Sequence, residues 1–123
     1  MTTEDYCSYE IAKLLKEKGF DGVCDYAYSN KGNWFEIDRS NFDEVYCLRP
    51  TLQMAMRWLR DMHKLYIEIW PTYDMDTEEH TGWEITVSDL SDFGGAYLGD
   101  AGSYKTYEEA VEVALKTSLE NFV

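Results

Sequence analysis

Hydrophobic positions at the start of the chain recur at helical spacing. Tyr6/Cys7, Ile11, Leu14 and Leu15 make one stripe, with Lys13, Lys16, Glu17 and Lys18 opposite. That pattern predicts an amphipathic helix. Thr2 or Thr3 is placed to cap its start. Gly19 fits the left-handed position past its end, and Phe20 the apolar contact of such a cap. Two aromatic-rich runs follow, Val23–Tyr28 and Trp34–Ile37, around Ser29-Asn30-Lys31-Gly32-Asn33. Turn chemistry between β-prone runs predicts a hairpin. Residues 38–50 show no period and read as a loop closed by Pro50. Thr51, or Pro50 in the first turn, starts a second helix through Leu52, Ala55/Met56, Leu59 and Met62/His63.

Near Leu65 the period changes to two. Leu65, Ile67 and Ile69 face one way, and Tyr66, Glu68 and Trp70 the other. Trp83, Ile85 and Val87 alternate in the same way with Glu84, Thr86 and Ser88. The expected strands are joined by a long acidic connector, Pro71–Gly82. The Leu65/Ile67/Ile69 and Trp83/Ile85/Val87 face should pack on helices. Residues 91–103 hold four glycines (Gly94, Gly95, Gly99, Gly102) around a short strand, Ala96–Leu98. Thr106 with Glu109 forms a capping box that opens a last helix through Ala110, Val111, Ala114, Leu115 and Phe122. The order is α-β-β-α-β-β-(β)-α. It predicts one α+β domain over residues 1–123, an antiparallel sheet of about four to five strands packed with three helices.

Composition narrows the class. With 45% apolar and 15% aromatic residues in 123, the chain can bury a core and is unlike an acidic disordered tail. Its start lacks a basic region followed by an apolar stretch, and no apolar run is long enough to span a bilayer. Cys7, Cys24 and Cys47 match no zinc or redox spacing and read as free thiols, with the cytoplasm as the expected compartment. No cofactor motif is present, and no cofactor is expected.

Charge is split unevenly. Residues 1–64 carry 9 Lys/Arg against 11 Asp/Glu, a net of −2, whereas residues 65–123 carry 2 against 13, a net of −11. Such a surface disfavours nucleic acid and anionic membranes and favours a basic protein partner; a homodimer is also admissible.

Candidate chemistry is sparse. Asp74, Asp76, Glu78, Glu79 and His80 could converge on a hard cation, but an EF-hand count from Asp74 puts Glu79 at position six and Ile85 at twelve. A solvated loop explains them better. The glycine stretch before Ser103 lacks the Lys-Ser/Thr ending of a phosphate loop and carries Asp100 instead. His63 has Asp61 two residues away, a poor helical partner, and suits a structural place at the helix end. Cys24 and Cys47 have no partner to activate them. No catalytic residue or metal ligand is assigned, and the chain reads as a non-enzyme.

Two surfaces remain. Tyr66, Glu68, Trp70, Glu84, Thr86 and Ser88 share a face if the two strands pair, an aromatic and acidic surface suited to a basic, hydrophobic partner. A helix or the 38–50 loop covering that face is the competing expectation. Arg57, Arg60 and Lys64 form one stripe of the second helix, with Arg49 nearby, and read best as an internally salt-bridged face.

Three segments carry a resemblance. Tyr9-Glu-Ile-Ala-Lys-Leu-Leu-Lys-Glu-Lys-Gly-Phe with Cys24-Asp-Tyr, Arg57-Trp-Leu-Arg-Asp-Met-His-Lys-Leu-Tyr-Ile, and Ser103-Tyr-Lys-Thr-Tyr-Glu-Glu-Ala-Val-Glu-Val-Ala-Leu follow in that order across most of the chain. They resemble an uncharacterised family of small acidic proteins from gut Bacteroidales and their phages and mobile elements, a group with no established activity. The resemblance implies a phage or mobile-element accessory protein. The acidic composition, in that context, points to a non-enzymatic protein that binds a host factor or, as an immunity-type protein, neutralises a basic toxin. A small-molecule binder or enzyme using the Tyr66/Glu68/Trp70 face is the remaining alternative.

Overall fold

The computed structural model describes residues 5–92 and 96–123, with the backbone course alone for 96–102. Along the chain run α1 (Tyr9–Glu17), β1 (Tyr26–Tyr28), β2 (Trp34–Glu36), a 3-10 turn (Phe42–Glu44), β3 (Cys47–Leu48), α2 (Leu52–His63), β4 (Leu65–Tyr73), β5 (His80–Asp89), β6 (Ala96–Tyr104) and α3 (Tyr107–Asn121). The α+β class holds. The expected single sheet of four to five strands does not: the strands form two three-stranded antiparallel sheets, β2-β1-β3 and β4-β5-β6.

α1 starts later than its apolar stripe suggests. The Cys7 N–H donates to the Pro50 carbonyl at 2.9 Å, so Tyr6 and Cys7 are extended and bridge to Thr51. Ser8 caps the helix instead, its hydroxyl accepting from the Ile11 N–H. Thr2 and Thr3 lie outside the described residues. The other end follows the glycine rule. Gly19 has φ +90°, the Phe20 N–H reaches the Leu15 carbonyl (2.9 Å) and the Gly19 N–H that of Lys16 (3.1 Å). These two bonds make a Schellman cap. Phe20 then packs edge-on against Trp58, tying the cap to α2.

The 38–50 segment is more ordered than its lack of period implies. β3 pairs with β1, Ala27 opposite Leu48 and Tyr28 opposite Cys47. Two residues are too few to show alternation, and the ladder comes from the partner strand. Thr51, rather than Pro50, is the N-cap of α2, accepting from the Met54 N–H at 3.1 Å. Thr106 caps α3 through the Glu109 N–H at 3.0 Å. Phe122 falls at the C-cap and is exposed, outside the core.

The connector Pro71–Gly82 contracts to residues 74–79, because β4 continues through Pro71 and β5 begins at His80. β4 is an edge strand, where a missing N–H is tolerated. β6 likewise exceeds the expected Ala96–Leu98, running through Gly99 and Gly102 to Tyr104. Gly94 and Gly95 lie outside the described residues.

α3 is the hub. Ala110 and Ala114 meet Ile85 on the large sheet, whereas Val111, Leu115 and Leu119 join Ile11 and Leu15 of α1 and Leu52, Ala55, Trp58 and Leu59 of α2. Small alanines bring the helix close to the sheet, and larger residues fill the gap between helices. A smaller cluster of Ala12, Tyr28 and Cys47, with Tyr9 beside it, joins α1 to the small sheet. Of the face expected to meet helices, Leu65, Ile85 and Val87 are buried, but Ile67, Ile69 and Trp83 are half-buried.

Candidate functional site

β4 and β5 place the predicted face in register. Tyr66 lies opposite Ser88, Glu68 opposite Thr86, and Trp70 opposite Glu84. α2 and α3 pack on the other side of the sheet, through Leu65, Ile85 and Val87, and among the described residues no helix packs on this side. The 38–50 segment belongs to the small sheet and does not cover it. Trp70 is 49% exposed and Tyr66 40%. Trp70 is nonetheless fixed, its indole N–H donating to the Thr86 hydroxyl at 2.9 Å. Glu68 precedes Trp70 by two residues on the same face of β4, and Glu84 lies directly across the ladder from it. Next along the face, the Thr72 and Thr81 hydroxyls meet at 3.0 Å.

The hairpin tip extends this surface. Asp74 accepts the N–H groups of Asp76 (2.8 Å) and Thr77 (3.1 Å), and backbone bonds between Asp74 and both Glu78 and Glu79 close the turn. These N–H donors hold the Asp74 carboxyl below the usual carboxylate range. Its negative charge is therefore part of the turn. Asp76, Glu78 and Glu79 point to solvent around Met75, which is 90% exposed. Among the described residues no group of three His, Cys, Asp or Glu side chains is arranged to hold a metal.

The same loop-bracing use of a carboxylate recurs at Asp38, bonded to Ser40 and Asn41, and at Asp89, bonded to Ser91. Both carboxyls are also lowered, chiefly by the serine hydroxyl. Their contribution to stability is fully present above about pH 3.8 and lost as pH falls through the lower folded values. Part of the acidic excess is thus structural.

Glu112 behaves oppositely. Burial pushes its carboxyl up, although the Ser8 N–H donates to Oε1 at 3.0 Å; Oε2 is buried with no partner. A raised folded pKa favours the protonated form, so stability falls as pH rises above about 4.5 through the folded value. Glu112→Gln keeps an acceptor for Ser8 and removes the charge. Urea unfolding should show the variant more stable than wild type at neutral pH, with the difference vanishing in acid. An unchanged difference across that range would contradict this.

The remaining candidates take structural places. His63 packs edge-on to Trp58 at 4.7 Å between ring centres, and Lys64, with φ 57°, caps α2. His80 bonds the Gly82 carbonyl at 2.8 Å and sits between Tyr73 and Trp83. All three cysteines are free, and burial raises each thiol, Cys24 to about 11. None is activated as a nucleophile.

Arg49 stands apart from the basic stripe of α2. Its guanidinium stacks over Tyr6 (4.2 Å) and Trp34 (4.7 Å), and its Nε–H donates to the Tyr28 hydroxyl at 3.2 Å. It ties β3 to β1, β2 and the segment before α1, a role that residue spacing does not reveal. Arg57 and Arg60 each pair with Asp61 at 3.5 Å on α2 itself.

A cleft of about 330 Å³ opens where α2 meets the outer edge of β4, with Arg57, Arg60 and Tyr66 at its rim. Ile67 and Ile69, expected to pack on helices, do pack against the buried clusters and also line that opening. Comparison of the chain with protein-family models, curated proteins and solved structures finds no match.

Proposed function

We propose that the protein is a non-enzymatic binding module that docks a basic protein partner on the open β4–β5 face and its acidic tip. The observation that carries this reading is the exposed Trp70 ring, fixed by its bond to Thr86 on a face that also carries Glu68 and Glu84. A preorganised aromatic loses little rotamer freedom on binding, and Trp and Tyr dominate binding hot spots. The surrounding carboxylates steer a cationic partner and set its orientation. A phage or mobile-element accessory protein acting in the cytoplasm on a host factor fits this chemistry. So does an immunity-type protein against a basic toxin, which differs in the partner rather than in the surface.

Affinity capture from the native cell tests the proposal. Wild-type bait should retain a basic protein at low salt and release it at high salt. Trp70→Ala should weaken that association by about thirtyfold or more, the loss expected of a hot-spot anchor. Equal retention by wild type and variant would refute docking on this face.

A further inference from the structure

The cleft lies where α2 meets β4 and Tyr107 at the start of α3. Its floor is Met56, Ile67 and Ile69, and its rim carries Arg57, Arg60 and Tyr66. The side chains of Arg57 and Arg60 are 76% and 45% exposed, and both share one counter-ion, Asp61. Two guanidinium groups against one carboxylate leave a local charge of +1 in a chain whose net charge is −13. Ile67 and Ile69 alternate with the open-face residues and point toward the helix layer, yet α2 and α3 leave both half-buried. An apolar floor under a cationic rim matches a ligand that has a carboxylate at one end and a hydrocarbon body at the other.

We infer that this cleft binds a small organic carboxylate, its acid group on Arg57 and Arg60 and its apolar body over Met56, Ile67 and Ile69. This goes beyond docking on the open face and does not depend on it. Size sets the ligand class. A volume of about 330 Å³ lies near the lower end of small-molecule pockets. At ~30 Å³ per water it holds a body of about ten heavy atoms. A polyanion such as nucleic acid would meet the acidic remainder of the surface. A peptide added as a strand along β4 would meet Pro71, which has no N–H to offer a ladder.

Decanoate, decanol and decylamine, titrated into the full-length protein and followed by methyl resonances, test the inference. Decanoate should shift the signals of Met56, Ile67 and Ile69. Decanol and decylamine should bind about tenfold or more weakly, because neither offers guanidinium a negatively charged pair of acceptor oxygens. The doubly substituted Arg57→Gln/Arg60→Gln protein should lose that preference while keeping its wild-type spectrum elsewhere, since both side chains are exposed. Equal binding of decanol, no shift with decanoate, or a preference surviving the double substitution would overturn the inference. So would tighter binding at this cleft of a peptide copying residues 73–80, which would mark it as a site for acidic protein segments.

Discussion

Leu115→Ala should cost about 2–5 kcal/mol, the range for removing a buried leucine side chain from a core that cannot close over the gap. Leu115 is completely buried and sits in the cluster where α3 meets α1 and α2, with Leu15, Leu59, Val111 and Leu119. Leu15 and Leu59 belong to two other helices fixed by caps, and α3 itself is held on the large sheet, so collapse around the cavity is restricted. Small domains have total stabilities of about 5–15 kcal/mol, and such a loss takes a large share. Urea unfolding should therefore show a much lower midpoint with a similar slope. Leu90→Ala is the control. Leu90 is 51% exposed, and its replacement should change stability by no more than about 0.5 kcal/mol. Similar losses for the two variants would contradict the assigned core.

Gly82→Ala should destabilise by about 1–3 kcal/mol through overpacking. A Cβ on Gly82 would lie 2.6 Å from the Tyr104 carbonyl oxygen and 2.9 Å from the Ser103 hydroxyl. The hydroxyl can rotate away, but the carbonyl belongs to β6 and moves only with the strand. Trp83 pairs with Tyr104 next to this contact and packs edge-on against Tyr107 at the start of α3. The strain should thus reach both the β5–β6 ladder and the docking of α3. Amide exchange should accelerate in β6 and the first turn of α3, while β1 and β2 are unchanged. Wild-type exchange rates in the variant would show that the two strands are not so closely apposed.

Features legible in the sequence are those with local causes. Gly19 with Phe20, Thr51, Thr106 and the Ser29–Asn33 turn each specify a backbone conformation through neighbouring residues, and each is found in place. The alternation of Tyr66, Glu68 and Trp70 against Glu84, Thr86 and Ser88 gave the cross-strand face for the same reason. What escaped depends on distant partners. β3 exists because β1 offers it a ladder, and Tyr6 and Cys7 leave the helix because Pro50 accepts the Cys7 N–H. The division into two sheets likewise depends on where α1 and α3 lie. Alternation cannot say which side of a sheet the helices cover completely. Hence Ile67 and Ile69 pack against the core as expected, yet stay half-buried where they line a cleft. Arg49 looked like part of a basic patch because its aromatic partners come from three separate segments.

The acidic second half acquires a sharper meaning from this geometry. Asp74 and Asp89 brace turns, and Glu112 is partly buried against the Ser8 N–H. Glu68, Glu84, Asp76, Glu78 and Glu79 remain around the exposed aromatics of the β4–β5 hairpin. It is this subset, rather than the net charge, that a basic partner would meet.

Side-chain footprinting of the captured complex tests the docking proposal most directly. Carboxyl labelling and tryptophan oxidation should both fall on partner binding at Glu68, Trp70 and Glu84, while labelling at Glu17 and Glu44 stays as in the free protein. Full reactivity at Trp70, Glu68 and Glu84 in a saturated complex would contradict the account.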